Sequence, residues 1–157
     1  MIVLRMLLLL VGGISYRACE RVLRVLFGKT VGLPNRITLM NWTFKLGLYE
    51  LERKVEKAKD WIFILDVTHG FGHQKCLVVL GLRLSDYEKA DFSWSYQAMK
   101  PLAIIPCETV NGALVNETLV ACQQKVGALL QIISDKGPDV YNGVQLFLAQ
   151  NKSVVWV

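Results

Sequence analysis

Asp66 and Asp135 are the residues of this chain best placed to do chemistry, because each ends a run of mostly apolar residues: Trp61-Ile-Phe-Ile-Leu before Asp66 and Gln131-Ile-Ile-Ser before Asp135. Short runs of that kind are predicted to be core strands. Two carboxylates carried out on neighbouring strands repel each other unless a cation lies between them. Hard oxygen donors with open positions suit Mg²⁺ or Mn²⁺. Two such ions about 3.5–4 Å apart can clamp the attacking and leaving oxygens of a phosphodiester, so the expected chemistry is on nucleic acid.

Other polar residues make weaker candidates. His69 and His73 follow Asp66 at D-x-x-H-x-x-x-H spacing, but Gly70 and Gly72 lie around them, so a solvated turn is expected rather than a ligand pair on a helix. Asp139 is expected to open a helix, where a carboxylate meets the positive end of the dipole. Gly137 and Pro138 are turn residues, and Lys136 is either a contact for a substrate phosphate or a plain surface lysine. Cys19, Cys76, Cys107 and Cys122 show no C-x-x-C pair and are expected to be reduced core residues of a cytoplasmic protein.

The elements that would position the acids fall into two parts. The chain carries a net charge of +5, unevenly spread. Residues 1–59 hold eleven Lys/Arg against four Asp/Glu, a net +7, and residues 60–157 hold seven against nine, a net −2. A basic head of this kind suits phosphate, and would equally suit an anionic membrane surface. The apolar run Ile2 to Val11 is about half the length of a membrane span and precedes no Ala-x-Ala cleavage site. It is expected to be a buried helix or strand and not a signal, although Asn-x-Ser/Thr sequons begin at Asn41, Asn116 and Asn151.

In the basic head, Ser15 is the expected N-cap of a helix through Phe27 that turns Ala18, Val22, Leu23 and Leu26 inward and stops at Gly28. Arg17, Arg21 and Arg24 form a basic stripe beside that face. After the connection Lys29 to Leu33, a second helix opens at Pro34 or Asn35, near Arg36, with Ile37, Met40 and Phe44 inward and Thr38, Asn41 and Lys45 outward, closed by Gly47. Two such helices suggest a helix-turn-helix in which Thr38, Asn41 and Lys45 face the major groove. An ordinary solvated helix pair is the competing reading. Leu48, Leu51, Val55 and Ala58 continue at helical spacing as a linker, placing a domain boundary at residues 59–60.

The second part reads as a meander followed by crossovers. Trp61 to Leu65 and Cys76 to Leu84 are predicted to pair antiparallel, with Phe92, Trp94 and Tyr96 alternating along a third, edge strand. Lys100 to Gly112, broken by Pro101 and Pro106, is expected to be an irregular crossover. Val115, Leu119, Cys122, Val126 and Leu129 mark a helix, Gln131 to Ser134 a strand, Val140, Val144, Phe147 and Leu148 another helix, and Lys152 to Val157 a last strand. The order β-β-β-α-β-α-β defines an α/β class, the ribonuclease H-like mixed sheet, in which the fourth strand returns to lie parallel beside the first.

Several blocks together resemble the bacterial insertion-sequence transposases of the DDE type: Gly13-Ile-Ser-Tyr-Arg17, Asn41-Trp-Thr-Phe-Lys-Leu-Gly47, Trp61-Ile-Phe-Ile-Leu-Asp66, Lys75-Cys-Leu-Val-Val-Leu-Gly-Leu-Arg83 and Ile133-Ser-Asp-Lys-Gly137. The resemblance implies a helix-turn-helix that holds transposon and target DNA, and a ribonuclease H-like domain in which Asp66 and Asp135 match the first two acids of a metal-binding triad. It implies Mg²⁺ or Mn²⁺ as cofactor, and association with itself or with an intact transposase. The third acid of that family lies on a helix beyond the last strand, so the chain is expected to be truncated and inactive by itself, with Glu117 as a candidate substitute. The alternative is a DNA-binding remnant that does not cut and that interferes with an intact enzyme. A third reading makes it a secreted structural protein with the apolar start as its signal.

Overall fold

The computed structural model describes residues 13–28, 32–69, 74–93 and 98–157. The expectations for the apolar start, for part of the connection after Gly28, for the turn containing His73, and for Trp94 and Tyr96 fall outside those residues. The chain divides into two compact units, residues 1–50 and 51–157.

In the first unit α1 (Tyr16–Phe27) begins where Ser15 Oγ accepts from the amide of Ala18 at 3.2 Å, and ends at Gly28 with φ +67°. α2 (Arg36–Glu52) is one continuous helix, so Gly47 does not close it and Leu48 and Leu51 belong to it rather than to a separate linker. Asn35 Oδ1 accepts from the Thr38 amide at 2.9 Å and Glu20 accepts from the Arg36 amide at 2.9 Å. Those two oxygens satisfy donors that the first turn of a helix leaves unpaired.

The buried face is rotated from the expected one. Cys19, Leu23 and Leu39 form the core of this unit, with Ile14, Tyr16, Leu33 and Trp42 packed on it. Ile37, Phe44 and Leu26 are exposed instead. α2 carries apolar residues around its circumference, so periodicity does not select its buried side, while in α1 only Cys19 and Leu23 of a broad apolar face are buried.

The described residues of the second unit build a five-stranded sheet of order β3-β2-β1-β4-β5. Its members are β1 (Ala58–His69), β2 (Lys75–Arg83), β3 (Lys100–Cys107), β4 (Gly127–Ile133) and β5 (Val155–Trp156). β1 to β3 form an antiparallel meander, and β4 and β5 add parallel to it on the other side of β1. The helices are α3 (Leu84–Lys89), α4 (Gly112–Val126) and α5 (Pro138–Gln150). This is the ribonuclease H-like sheet with the crossovers where they were expected.

Three expectations are corrected. The third strand is Lys100–Cys107, while Phe92 lies in a turn at φ +56° after the unforeseen α3. Leu129 belongs to β4, because α4 passes into the strand at Gly127. Ala58 opens β1, and Val55 and Ala58 pack on the sheet core.

That core lies between one face of the sheet and helices α4 and α5. Trp61, Phe63 and Leu65 of β1 meet Leu77 and Val79 of β2, Ile132 of β4, Val115 and Leu119 of α4, and Val144 and Phe147 of α5. The two helices touch at a glycine: a Cβ on Gly143 would come within 2.4 Å of Val115 Cβ. Gly143→Val is therefore expected to lower stability by about 1–3 kcal/mol through overpacking, read as a lower midpoint in urea.

Asp60 ties the base of the meander together. Its Oδ1 accepts from Arg83 Nε at 2.9 Å and its Oδ2 from the Ser85 amide at 3.0 Å, while Arg83 also reaches Glu56 at 3.1 Å. Burial works against the Asp60 charge, but hydrogen bonds from Ser85 and Arg83 outweigh it and bring the carboxyl from 3.8 to about 2. A depressed folded-state value means stabilisation that is present above the unfolded value and lost as pH falls through the folded one. Asp60→Asn should thus lower the urea midpoint at pH 7, and its gap from the wild type should close between about pH 4 and pH 2.

Candidate functional site

Asp66 lies within β1, three residues before its end, and Asp135 follows β4 by two residues. The parallel pairing runs Ile62 to Gln131, Phe63 to Ile132 and Ile64 to Ile133. Both aspartates come two residues after that last pair, Asp66 still within β1 and Asp135 already beyond β4. Adjacent strands lie about 4.8 Å apart. Both residues are exposed.

Their immediate settings differ. In β1, Asp66 shares a face with Ile62 and Ile64 and pairs with Val78 of β2. Asp135 instead turns back on its own loop, accepting from the Gly137 amide through Oδ1 at 3.0 Å. A Cβ on Gly137 would sit 3.2 Å from that oxygen, so the glycine leaves room for the carboxylate.

A cleft of about 160 Å³ opens beside Asp135, lined by Val67, His69, Lys75 and the first residues of α5, Gly137 to Val140. Asp66 is not among its walls, being one residue out of phase with Val67 along the strand. Lys75 pairs with Asp139 across the cleft mouth. Sequence reasoning placed Asp139 correctly in the first turn of its helix but missed this partner, which lies 64 positions away and leaves no local pattern.

A divalent ion of the Mg²⁺ kind keeps several waters and takes one or two protein carboxylates; Asp135 borders the cleft, and Asp66 leaves β1 on the face that does not line it. Among the described residues there is no group of three or more His, Cys, Asp or Glu side chains placed to share an ion. Glu117 lies in the second turn of α4, exposed, and does not line the cleft, so no triad is completed by it. His69 ends β1 and lines the cleft. The buried Cys122 thiol is pushed up to about 11 by burial, which suits a core residue and not a nucleophile.

The basic residues of the first unit are mostly presented to solvent. Arg17, Arg21, Arg36, Asn41 and Lys45 are exposed. Arg24 is bonded to Glu20 at 2.6 Å, and half-buried Thr38 spends its hydroxyl on Asn35 at 3.1 Å. Among the described residues no helix is long and apolar enough to cross a membrane.

No protein-family model and no curated protein matches the sequence. Among solved structures, the chain is similar to the HTLV-2 integrase catalytic core domain in complex with magnesium, at 13% identity over 67% of this chain and 62% of that one, with a TM-score of 0.41. It is also similar to the Drosophila P element transposase in its strand transfer complex, at 15% identity over 83% of this chain and 32% of that one, with a TM-score of 0.42. The chain thus spans less than two thirds of either protein.

The Lys75–Asp139 pair is partly exposed on both sides, at 30% and 39%, so water screens it. A double-mutant cycle with Lys75→Met and Asp139→Asn is expected to return a coupling of no more than about 1 kcal/mol in urea denaturation.

Proposed function

We propose that this protein derives from a DDE-type transposase: residues 51–157 hold a divalent metal and DNA through Asp66 and Asp135, and the basic helices before them hold DNA. The observation that supports this reading is the parallel pairing of β1 with β4, whose last pair, Ile64 with Ile133, lies two residues before each aspartate. The order of the sheet and the sequence blocks that resemble insertion-sequence transposases support it. When bound, a divalent cation would activate water and offset phosphate charge. The protein's own part is to present two carboxylates from a rigid sheet, with the Asp135 carboxylate oriented by the Gly137 amide.

Strand cleavage and transfer would need a third acid beside these two, which among the described residues no side chain supplies. Titration calorimetry of the full chain with Mn²⁺ should show binding that Asp66→Asn and Asp135→Asn each weaken at least tenfold. Absence of binding to the folded wild type would overturn the metal reading. Metal-dependent nicking of DNA by the chain, abolished in either variant, would show that no third acid is needed.

A second reading, a DNA-binding remnant without metal chemistry, is favoured by the exposed Arg17, Arg21, Asn41 and Lys45. It predicts DNA affinity that falls with salt. Replacing Arg17, Arg21 and Lys45 together by Ala should reduce the slope of log K against log salt by up to about 3. An unchanged slope would remove these side chains from the interface.

A further inference from the structure

The loop that carries Asp135 is held from a direction the proposed chemistry does not require. Lys136 adopts a left-handed backbone at φ +57°, unusual for a residue with a Cβ. Three contacts surround that turn. Trp156 Nε1 of β5 donates to Ser134 Oγ at 3.0 Å, and the same oxygen accepts from the Lys136 amide at 3.3 Å. The Lys136 ammonium lies over the Trp156 ring, 5.5 Å from its centroid. Tyr141 of α5 closes the other approach to that ring, with centroids 5.3 Å apart.

One indole therefore reaches both residues that flank Asp135. Its N–H orients the Ser134 hydroxyl, which in turn takes the amide of the strained residue, and its π face attracts the Lys136 charge. Sheet hydrogen bonds fix Trp156 itself: it pairs with Ile132, and the Val157 amide donates to the Ile132 carbonyl at 3.0 Å. The left-handed turn at Lys136 then sets where Gly137 lies, and the Gly137 amide holds Asp135 Oδ1.

We propose that Trp156 is a positioning residue for Asp135: through Ser134 and Lys136 it fixes the turn in which the carboxylate is presented. The proposal rests on the reading of Asp135 as a metal ligand only for its functional consequence. The fixed turn can be observed without any metal.

The test uses the full chain with Ser134→Ala, Trp156→Leu and Trp156→Phe. Two quantities are read: Mn²⁺ affinity, and hydrogen exchange of the Lys136 and Gly137 amides relative to that of Phe63 in β1. Ser134→Ala and Trp156→Leu should each weaken Mn²⁺ binding about 10–100-fold, as loss of an outer support around a ligand typically does. They should also speed exchange at Lys136 and Gly137 while leaving Phe63 protected. Trp156→Phe keeps a ring for Lys136 and should recover part of both effects. If Trp156→Leu does not fold, Ser134→Ala carries the test alone. Unchanged Mn²⁺ affinity and exchange in a folded Ser134→Ala variant would overturn the proposal while leaving the metal reading intact. If the wild type binds no Mn²⁺, the metal reading fails, and the exchange rates at Lys136 and Gly137 alone decide whether Trp156 fixes the turn.

Discussion

The parallel contact between β1 and β4 is the constraint on which the second unit depends, and it turns on Gly127. α4 passes into β4 without an intervening loop, so one residue must reverse the chain while lying against β1. Gly127 does so at φ +107°, and a Cβ there would come within 2.5 Å of the Ala58 carbonyl oxygen. A side chain at this position would meet both a strained backbone and a backbone clash. The pairing that follows sets more than the sheet. Slipping it by one residue would carry Ile132 from the core to the opposite face.

The same sheet explains where prolines are tolerated. Pro101 and Pro106 lie in β3, which among the described residues pairs with β2 alone and forms one edge of the sheet. An edge strand has a side on which no amide is needed, so a proline costs it little. Gly81 has a related role one strand inward: a Cβ there would meet Leu102 at 2.7 Å and Trp61 at 3.1 Å, so the glycine makes room for the largest buried side chain of β1.

Much of this was legible in the sequence where local rules dominate. Ser15 and Gly28 bound α1, Asp139 lies in the first turn of α5, which begins one residue earlier at Pro138, and the apolar runs before Asp66 and after Lys75 are strands. Of the expected third strand, Phe92 lies in a turn, and the strand that pairs with β2 was disguised by its prolines. Gly47 misled in the opposite way, since a single glycine costs a helix interior only about 1 kcal/mol and the rest of α2 outweighs it. Asp66 and Asp135 stand out in the sequence because each closes an apolar run, and the structure has Asp66 within β1 and Asp135 in the loop after β4. Lys75 with Asp139 and Trp156 with Ser134 were not legible, because contacts made across a fold leave no periodicity along the chain.

The placement of the two aspartates also limits how a site of this kind can operate. Two like charges 4 Å apart repel by about 1 kcal/mol in water and by about 4 kcal/mol at an effective dielectric of 20. Asp66 and Asp135 are exposed, so each charge is held in water at little cost. An anionic DNA backbone laid against them would exclude that water and add its own charge. On the proposed reading, DNA therefore approaches the aspartates favourably only together with a cation. The two affinities must then be coupled, and by linkage each raises the other by the same factor. The basic residues Arg17, Arg21 and Lys45 belong to the other compact unit, so attraction of DNA and tolerance of its phosphate at the acids are carried by different parts of the chain.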